Sequence, residues 1–267
     1  MNKRLFLLLV LFFTLTNTIA QESTASKQVS TFSIEAPQLK TSKKIWVYLP
    51  KNYENSKKKY SVMYMHDAQN LFDSKTSYAG EWHVDEKLDS INAQIIVIGI
   101  EHGNDKRMEE LTPFKNEKYG GGNADAYLEF IVKTLKPHID RTYRTKTKKK
   151  NTLIMGSSLG GLVSYYAVLK YPEVFGKAGI FSPSFWFSNK IFDLAENTKS
   201  IKSKIYFLCG DNESEDMVSD LNKMENLINT KRCKCLNLTE KEIIKGGQHN
   251  EKLWSDGFTK AILWLGY

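Results

Sequence analysis

Residues 156–161 carry the strongest chemical signal in this sequence. A Gly-x-Ser-x-Gly pattern spans residues 156–160 with Ser158 at its centre, and Gly161 follows it. Glycines on either side of a serine let the backbone reverse sharply, so that the hydroxyl projects from a strand-to-helix turn. The pattern often occurs by chance, but here an apolar run (152–155) precedes it and a helical pattern follows it as far as Tyr171. This context indicates a nucleophilic serine at position 158.

A serine hydroxyl becomes a nucleophile at neutral pH with the help of a base, and the base needs an acid to orient it. His249 is the one histidine that follows Ser158, and it lies in a glycine-containing loop (245–250) before the last predicted helix. We therefore expect His249 to be the general base. The other histidines all precede the serine: His66, His83, His102 and His138.

The acid is expected in the loop that follows the predicted strand 204–209. This loop offers four carboxylates, on Asp211, Glu213, Glu215 and Asp216. Each of them can accept a hydrogen bond from an imidazole ring. The chemistry of the residues therefore leaves four alternatives open.

The elements that position these residues alternate along the chain. Short apolar or alternating runs predict strands at 45–49, 60–66, 94–100, 152–155, 177–182, 204–209 and 242–244. Apolar residues at helical spacing predict helices at 84–91, 123–138, 162–171, 217–228 and 251–265, with Asn123 as a cap and Pro137 near the end of the second helix. Strands separated by helices favour an α/β fold with a mostly parallel central sheet and helices on both faces. Because neither a repeat nor a linker is evident, residues 31–267 are predicted to form one domain.

The composition is that of a globular protein with a mild positive charge. The chain has 267 residues, 41% of them hydrophobic, and a net charge of +8. This apolar content excludes a largely disordered chain. The basic runs at 57–59 and 148–150 contain no interleaved aromatic residues, so they favour solvated loops rather than a nucleic-acid surface.

Residues 1–20 have the layout of a secretory signal peptide. Lys3 and Arg4 precede an apolar run at 5–13, and Ala20 is a small residue suited to cleavage. The apolar run is shorter than the ~20 residues needed to cross a bilayer. We expect cleavage after Ala20, a periplasmic or secreted product without membrane insertion, and a flexible polar lead at 21–30.

Three cysteines do not describe a disulfide framework. Cys209 falls in an apolar run and is expected to be a buried strand residue. Cys233 and Cys235 are separated by one residue, and no second pair completes a zinc pattern. The redox state of this pair stays open.

Several further segments resemble the esterase D or enterochelin-esterase-like branch of the α/β-hydrolases. The resemblance extends from about Ile45 to Trp264. It rests on the segments 65–72 (MHDAQNLF), 80–82 (GEW), 143–144 (YR), 156–161 (GSSLGG), 182–186 (SPSFW), 210–213 (GDNE) and 246–249 (GGQH), with Arg107, Glu110, Pro113 and Trp254. Relatives in this branch include feruloyl, acetyl-xylan and siderophore esterases. The resemblance implies the α/β-hydrolase fold and a serine esterase.

The resemblance also implies site roles that the residues alone leave open. The acid becomes Glu213, the fourth residue of a Gly-x-x-acid turn, with Asp211 as the second choice. The backbone N–H groups of Gln69 and Leu159 become the donors to the oxyanion, although Ala68 stands where relatives have glycine. The implied reaction passes through an acyl-enzyme and needs no metal and no cofactor.

The substrate is less well defined by the sequence. Trp186, flanked by Phe185 and Phe187, is expected either to form a wall for an aromatic acyl or leaving group or to belong to an aromatic cluster of the core or a lid. Arg107 is expected to bind a negatively charged substrate group or to pair internally with Glu110, and the internal pair is favoured. The expected partner is a small-molecule or oligosaccharide ester, carbohydrate-linked (feruloyl or acetyl) or siderophore-type.

Two other functions use the same fold. A hydrolase fold can serve as a ligand-binding module without turnover, although the complete set of serine, acid and histidine argues against it. An acyltransferase would use the same residues with an alcohol or sugar in place of water. The sequence does not predict an oligomeric state.

Overall fold

The structure, a computed structural model, describes residues 22–231 and 238–267. The expected signal peptide 1–20 and the pair Cys233 and Cys235 lie outside these residues. No helix in the described part of the chain is long and apolar enough to span a membrane.

Eight described strands form one sheet. Their bounds are β1 Val29–Ala36, β2 Thr41–Tyr48, β3 Ser61–His66, β4 Ile95–Ile100, β5 Thr152–Ser157, β6 Lys177–Phe181, β7 Lys204–Gly210 and β8 Thr239–Ile244. Their order in the sheet is β1-β2-β4-β3-β5-β6-β7-β8. Strand β2 pairs antiparallel with β1 on one side and with β4 on the other, and all pairs from β4 to β8 are parallel. The expected mostly parallel sheet is confirmed.

Helices cover both faces of this sheet. Their bounds are α1 Val84–Ser90, α2 Arg107–Leu111, α3 Ala124–Glu129, α4 Lys136–Thr142, α5 Leu159–Lys170, α6 Lys190–Asn197, α7 Met217–Thr230 and α8 Glu251–Leu265. Alternate residues of the strands face opposite layers: Ile154 packs with the helices α3 to α7, while Leu153 and Met155 pack with α1 and α8. The central strands β3, β4 and β5 are buried along their whole length, which explains their continuous apolar sequences.

The structure differs from the sequence prediction at Pro137. The helix predicted to end near this proline continues to Thr142. A π-helical turn at Phe130–Leu135 separates α3 from α4 and places Pro137 in the first turn of α4. A proline fits there because the first-turn N–H groups have no acceptor within the helix. The side chain of Asn123 makes no capping hydrogen bond.

The N-terminal edge of the sheet was not predicted. Strand β1 begins at Val29, inside the segment 21–30 that we expected to be a flexible lead. Before it, Ser23 and Thr24 donate hydrogen bonds to Asp73 and Glu81, so this segment is tied to the domain. As an edge strand β1 is half exposed, and Phe32, Ile34 and Ala36, which alternate along it, pack against the core.

Candidate active site

Ser158 lies at a sharp turn between β5 and α5. Its backbone has φ 57° and ψ −122°, a conformation that is unfavourable for a residue with a side chain. Backbone hydrogen bonds hold the turn: the Ser158 N–H donates to the carbonyl of Phe181 (3.0 Å), and its carbonyl accepts from Ser184 (3.1 Å). The turn therefore presents a half-exposed hydroxyl from an otherwise buried strand end.

The glycines of the pattern are required by close packing around this turn. A β-carbon on Gly156 would lie 2.8 Å from the backbone carbon of Gly160, and one on Gly161 would lie 2.7 Å from the Phe181 carbonyl oxygen. Both contacts are shorter than real β-carbons make, and backbone atoms cannot move aside as a side chain does. The spacing read from the sequence thus has a steric cause.

The structure brings Glu213 and His249 into direct contact. His249 Nδ1 lies 2.6 Å from Glu213 Oε2. The other oxygen, Oε1, accepts hydrogen bonds from Ser182 Oγ (2.7 Å) and from the Gly210 N–H (2.6 Å). The side chain of Glu213 is only 1% exposed, so these bonds satisfy a carboxylate that water does not reach.

Asp211, the second choice for the acid, has a different role. Its carboxylate accepts the backbone N–H of Gly246 at 2.6 Å. Gly246 belongs to the loop that carries His249, and the neighbouring Gly247 packs against Gly210 at the end of β7. Asp211 therefore fixes the loop rather than the imidazole ring.

An aromatic side chain supports the ring of His249. The rings of His249 and Trp254 meet edge-on, with centroids 5.0 Å apart and an interplanar angle of 89°. The indole N–H of Trp254 donates to Ser182 Oγ at 2.8 Å. A chain of hydrogen bonds thus runs from Trp254 through Ser182 to Glu213 and His249.

Ser158 and His249 line the same cavity, which has a volume of about 590 Å³. The Ser158 hydroxyl lies 3.3 Å from the hydroxyl of Ser184. Within the part of the chain that the structure describes, Ser184 rather than His249 is the hydrogen-bond partner of this hydroxyl.

The two residues expected to donate to the oxyanion occupy different positions. Gln69 lines the cavity and lies in a short 3₁₀ turn (Ala68–Asn70) that follows β3. Leu159 is the first residue of α5, so its N–H has no acceptor within the helix. Ala68, which stands where relatives have glycine, is fully buried against Gly99.

Arg107 pairs internally, but its partner is not the one we predicted. Its Nε and Nη2 donate to the two carboxylate oxygens of Asp67 at 2.8 and 2.9 Å. Burial alone would raise the pKa of the Asp67 carboxyl, but the Arg107 guanidinium outweighs burial and holds this pKa below its usual value. Glu110 instead forms a buried ion pair with Lys43 at 2.6 Å. The predicted Arg107–Glu110 pair is therefore wrong.

Trp186 does not line the cavity that contains Ser158 and His249. Its side chain is 53% exposed and packs edge-on against Tyr119, with ring centroids 5.8 Å apart. Its neighbours Phe185 and Phe187 are buried in the core. The three-residue 3₁₀ turn Phe185–Phe187 points the middle side chain outward while the flanking rings point inward.

Sequence reasoning missed several residues that line the cavity. They include the exposed Tyr78, the half-buried His102 and the buried Glu251, whose carboxyl pKa is raised by burial. Ser182 and Ser184 were recognised only as part of the family segment 182–186. Ser182 has a left-handed backbone with φ 41°. Both serines contact residues that are distant in the sequence, and a local sequence pattern does not reveal such contacts.

His66 supports the serine turn from below. It is 2% exposed, and its ring nitrogens lie 2.8 Å from the Tyr127 hydroxyl and 3.1 Å from the Ser164 hydroxyl. A β-carbon on Gly156 would lie 2.9 Å from the ring. Burial lowers the pKa of His66 to about 4, so the ring is neutral in the folded protein at neutral pH.

The sheet order and the serine at the strand-to-helix turn define an α/β-hydrolase. The family described as "Putative esterase" matches residues 36–265 of the chain. The chain belongs to this family and is a carboxylic ester hydrolase.

The chain is also similar to individual proteins in sequence or in structure. The chain is 27% identical over 234 residues to an uncharacterized protein, YbbA, from Bacillus subtilis, a match that covers 82% of this chain and 90% of YbbA. It is 32% identical over 140 residues to the ferri-bacillibactin esterase BesA of the same organism, covering 47% of this chain and 48% of BesA. The crystal structure of the BES protein from Bacillus cereus superposes with a TM-score of 0.75 at 19% identity, covering 94% of this chain and 99% of that chain. This last likeness shows the fold.

The burial of His66 predicts a pH dependence of stability. Between the ordinary pKa of 6.5 and the lowered value of about 4, the unfolded chain binds a proton that the native ring does not. The free energy of unfolding should therefore fall as the pH drops from 6.5 to 4, with His66 contributing about 3 kcal/mol of the loss. Urea unfolding at several pH values measures this dependence.

The variant His66→Asn isolates this contribution because it removes the titrating ring. Its free energy of unfolding should change less between pH 6.5 and 4 than that of the parent protein, even if the variant is less stable at every pH. An identical pH dependence in both proteins would show that His66 is not the group responsible.

Proposed function

We propose that the protein is an exported serine esterase in which Ser158, His249 and Glu213 form the catalytic triad. The observation that carries this proposal is the 2.6 Å contact between His249 Nδ1 and the buried Glu213 carboxylate, in the cavity that Ser158 lines. A carboxylate on one ring nitrogen leaves the other nitrogen free to accept a proton.

The first half of the reaction acylates Ser158. When an ester enters, the hydroxyl turns from Ser184 toward His249 Nε2, which accepts its proton as the oxygen attacks the ester carbonyl. Glu213 keeps the proton on Nδ1 and stabilises the imidazolium that forms. His249 then donates its proton to the departing alcohol, and the acyl-enzyme remains.

The tetrahedral intermediate carries a negative oxygen that needs hydrogen-bond donors. The proposed donors are the backbone N–H groups of Leu159 and Gln69. Neither N–H has a backbone acceptor among the hydrogen bonds of the described residues. One donor of this kind is typically worth about 3 kcal/mol of transition-state stabilisation.

Water completes the cycle by hydrolysing the acyl-enzyme. His249 removes a proton from the water, which attacks the acyl carbonyl, and then returns the proton to the Ser158 oxygen as the carboxylic acid leaves. The same donors bind the second oxyanion. This cycle needs no metal and no organic cofactor.

The proposed substrate is a siderophore-type ester or a carbohydrate-linked feruloyl or acetyl ester. The cavity wall combines the aromatic side chains of Tyr78, Trp82 and Trp254 with the charged side chains of Arg107 and Glu251. Such a wall suits an acyl group that carries an aromatic ring with polar substituents. The name of the relative BesA, a ferri-bacillibactin esterase, agrees with the first of these classes.

Export is proposed from the composition of residues 1–20 alone. In a bacterial host that expresses the full chain, the protein should be recovered outside the cytoplasm with Gln21 as its first residue. N-terminal sequencing checks this outcome, and recovery of the intact chain from the cytoplasm would contradict it.

Removal of the nucleophile or the base should abolish esterase activity. Ser158→Ala and His249→Ala should each lower kcat for p-nitrophenyl acetate by at least about 10³-fold, because the two groups act as one unit. Ser157→Ala is the matched control, because Ser157 is the adjacent serine and lacks a glycine two residues before and after it. The kcat of this variant should stay within a few-fold of that of the parent protein. Unchanged turnover in Ser158→Ala would refute the assignment.

The choice of acid can be tested with two isosteric changes in one loop. Glu213→Gln should lower kcat by about 10²–10⁴-fold, because an amide cannot stabilise the imidazolium as a carboxylate does. Asp211→Asn should have a much smaller effect, because Asp211 contacts only the backbone of the loop. A larger loss in Asp211→Asn than in Glu213→Gln would reverse the assignment.

A substrate panel distinguishes the proposed ester classes. The purified protein without residues 1–20 is assayed with feruloyl, acetyl-xylan and catecholate-siderophore esters, and the preferred class should reach a kcat/KM of about 10⁴ M⁻¹s⁻¹ or more. Values for all three classes no higher than for p-nitrophenyl acetate would exclude the proposed substrates while leaving the triad intact.

A further inference from the structure

A second cluster of polar side chains lies on the segment 73–86, apart from the proposed triad. Three acidic side chains are buried there: Asp73, Glu81 and Asp85 are 6%, 8% and 0% exposed. Residues 23–26 of the chain run across them and donate hydrogen bonds from Ser23, Thr24 and the Ser26 backbone N–H. Buried carboxylates are rare unless they are paired or bind a metal.

The negative charge of this cluster is poorly compensated. Among the described residues, no lysine or arginine forms an ion pair with Asp73, Glu81 or Asp85, and His83 is the one basic side chain within 4 Å of any of these carboxylates. Glu81 Oε1 and Asp85 Oδ1 are buried without any hydrogen-bond partner in the part of the chain that the structure describes, whereas Glu81 Oε2 accepts a hydrogen bond from Thr24. An unpartnered carboxylate oxygen costs free energy unless a cation or a proton satisfies it.

Three ligand-type side chains converge at the outer side of the cluster. His83 Nδ1 lies 3.3 Å from Glu81 Oε2 and 3.5 Å from Glu86 Oε1. One ligand atom from each of the three residues lies within 4.8 Å of the others. Among the described residues, this is the one group of three such side chains with metal-ligand spacing.

The two distances from His83 Nδ1 to the carboxylate oxygens match those between ligands of a small divalent cation. Tetrahedral ligands at the usual Zn–N and Zn–O distances are about 3.3–3.4 Å from one another. Glu81 reaches the cluster from the protein interior with a side chain that is 2% exposed, whereas His83 and Glu86 reach it from the surface with side chains that are 50% and 42% exposed. A cation could therefore enter from solvent and meet a preformed, buried carboxylate.

We propose that Glu81, His83 and Glu86 bind a divalent transition-metal ion, with zinc as the metal that fits best. One imidazole and two carboxylates are a common zinc ligand set, and water completes the fourth position. Calcium fits less well, because it selects oxygen ligands over imidazole. The site is independent of the ester chemistry, for which no metal is expected.

The position of the site indicates a structural role. Trp82 lies between two of the proposed ligands, and its ring packs against Phe181 and Trp254, with centroids 5.6 and 6.0 Å away. Gly80 lies on the other side of Glu81 and packs against Glu251. A metal held by residues on both sides of Trp82 would fix a wall of the active-site cavity.

Zinc binding to the chelator-treated protein tests the proposal directly. Isothermal titration with zinc chloride should show one ion bound per chain, and His83→Asn and Glu86→Gln should each weaken binding by about tenfold or more. Asparagine is chosen because it tolerates the left-handed backbone of His83, which has φ 55°. Cobalt in place of zinc should give the strong visible absorption of a tetrahedral site.

Two controls separate this site from non-specific binding. His138→Asn and Glu117→Gln change a histidine and an acid elsewhere on the protein, and both should bind zinc as the parent does. Both ligand variants are changed at exposed side chains, so they should fold, and circular dichroism verifies this.

Three results would overturn the proposal: no binding by the parent protein, equal binding by His83→Asn, or a cobalt spectrum without tetrahedral character. Each would leave His83 as a side chain that contacts the two glutamates without a metal. Esterase activity of the chelator-treated protein is measured separately, so that failure of the metal site and failure of the triad can be told apart.

Discussion

The buried carboxylate of Glu213 is the interaction on which the arrangement of the site depends. One oxygen accepts hydrogen bonds from Ser182, which follows β6, and from the backbone N–H of Gly210 at the end of β7. The other oxygen contacts His249 in the loop after β8. Burying a carboxylate away from water costs free energy unless hydrogen bonds of this kind satisfy its oxygens. The ends of three neighbouring strands must therefore be in register before the acid can be buried, and the same register places the imidazole above the cavity.

Closely packed backbone segments also fix the positions of the loops that surround the cavity. The turn at Ser158 has no space for a β-carbon at Gly156 or Gly161. The loop that carries His249 is packed just as closely, because a β-carbon on Gly210 would lie 2.1 Å from the carbonyl oxygen of Gly247. Backbones packed this closely cannot shift independently. Ser158 and His249 are thus held by steric contact as well as by hydrogen bonds.

The parts of the structure that the sequence predicted are those with a local cause. Buried parallel strands produce continuous apolar runs, and a tight serine turn requires glycines, so both can be read from neighbouring residues. The choice between Asp211 and Glu213 has no local signal, because two carboxylates in one turn differ only in what they contact across the fold. Arg107 was predicted to pair with Glu110, three positions away, whereas its partner Asp67 follows the end of the distant strand β3. The edge strand β1 was not predicted, although Phe32, Ile34 and Ala36 alternate with polar residues as in a half-buried strand.

The edge-on contact between His249 and Trp254 has an optical consequence. The emission of an indole ring responds to polar groups that contact it, and the centroids of these two rings are 5.0 Å apart. Movement of the His249 ring when a ligand enters the cavity should therefore change the contribution of Trp254 to the fluorescence of the protein.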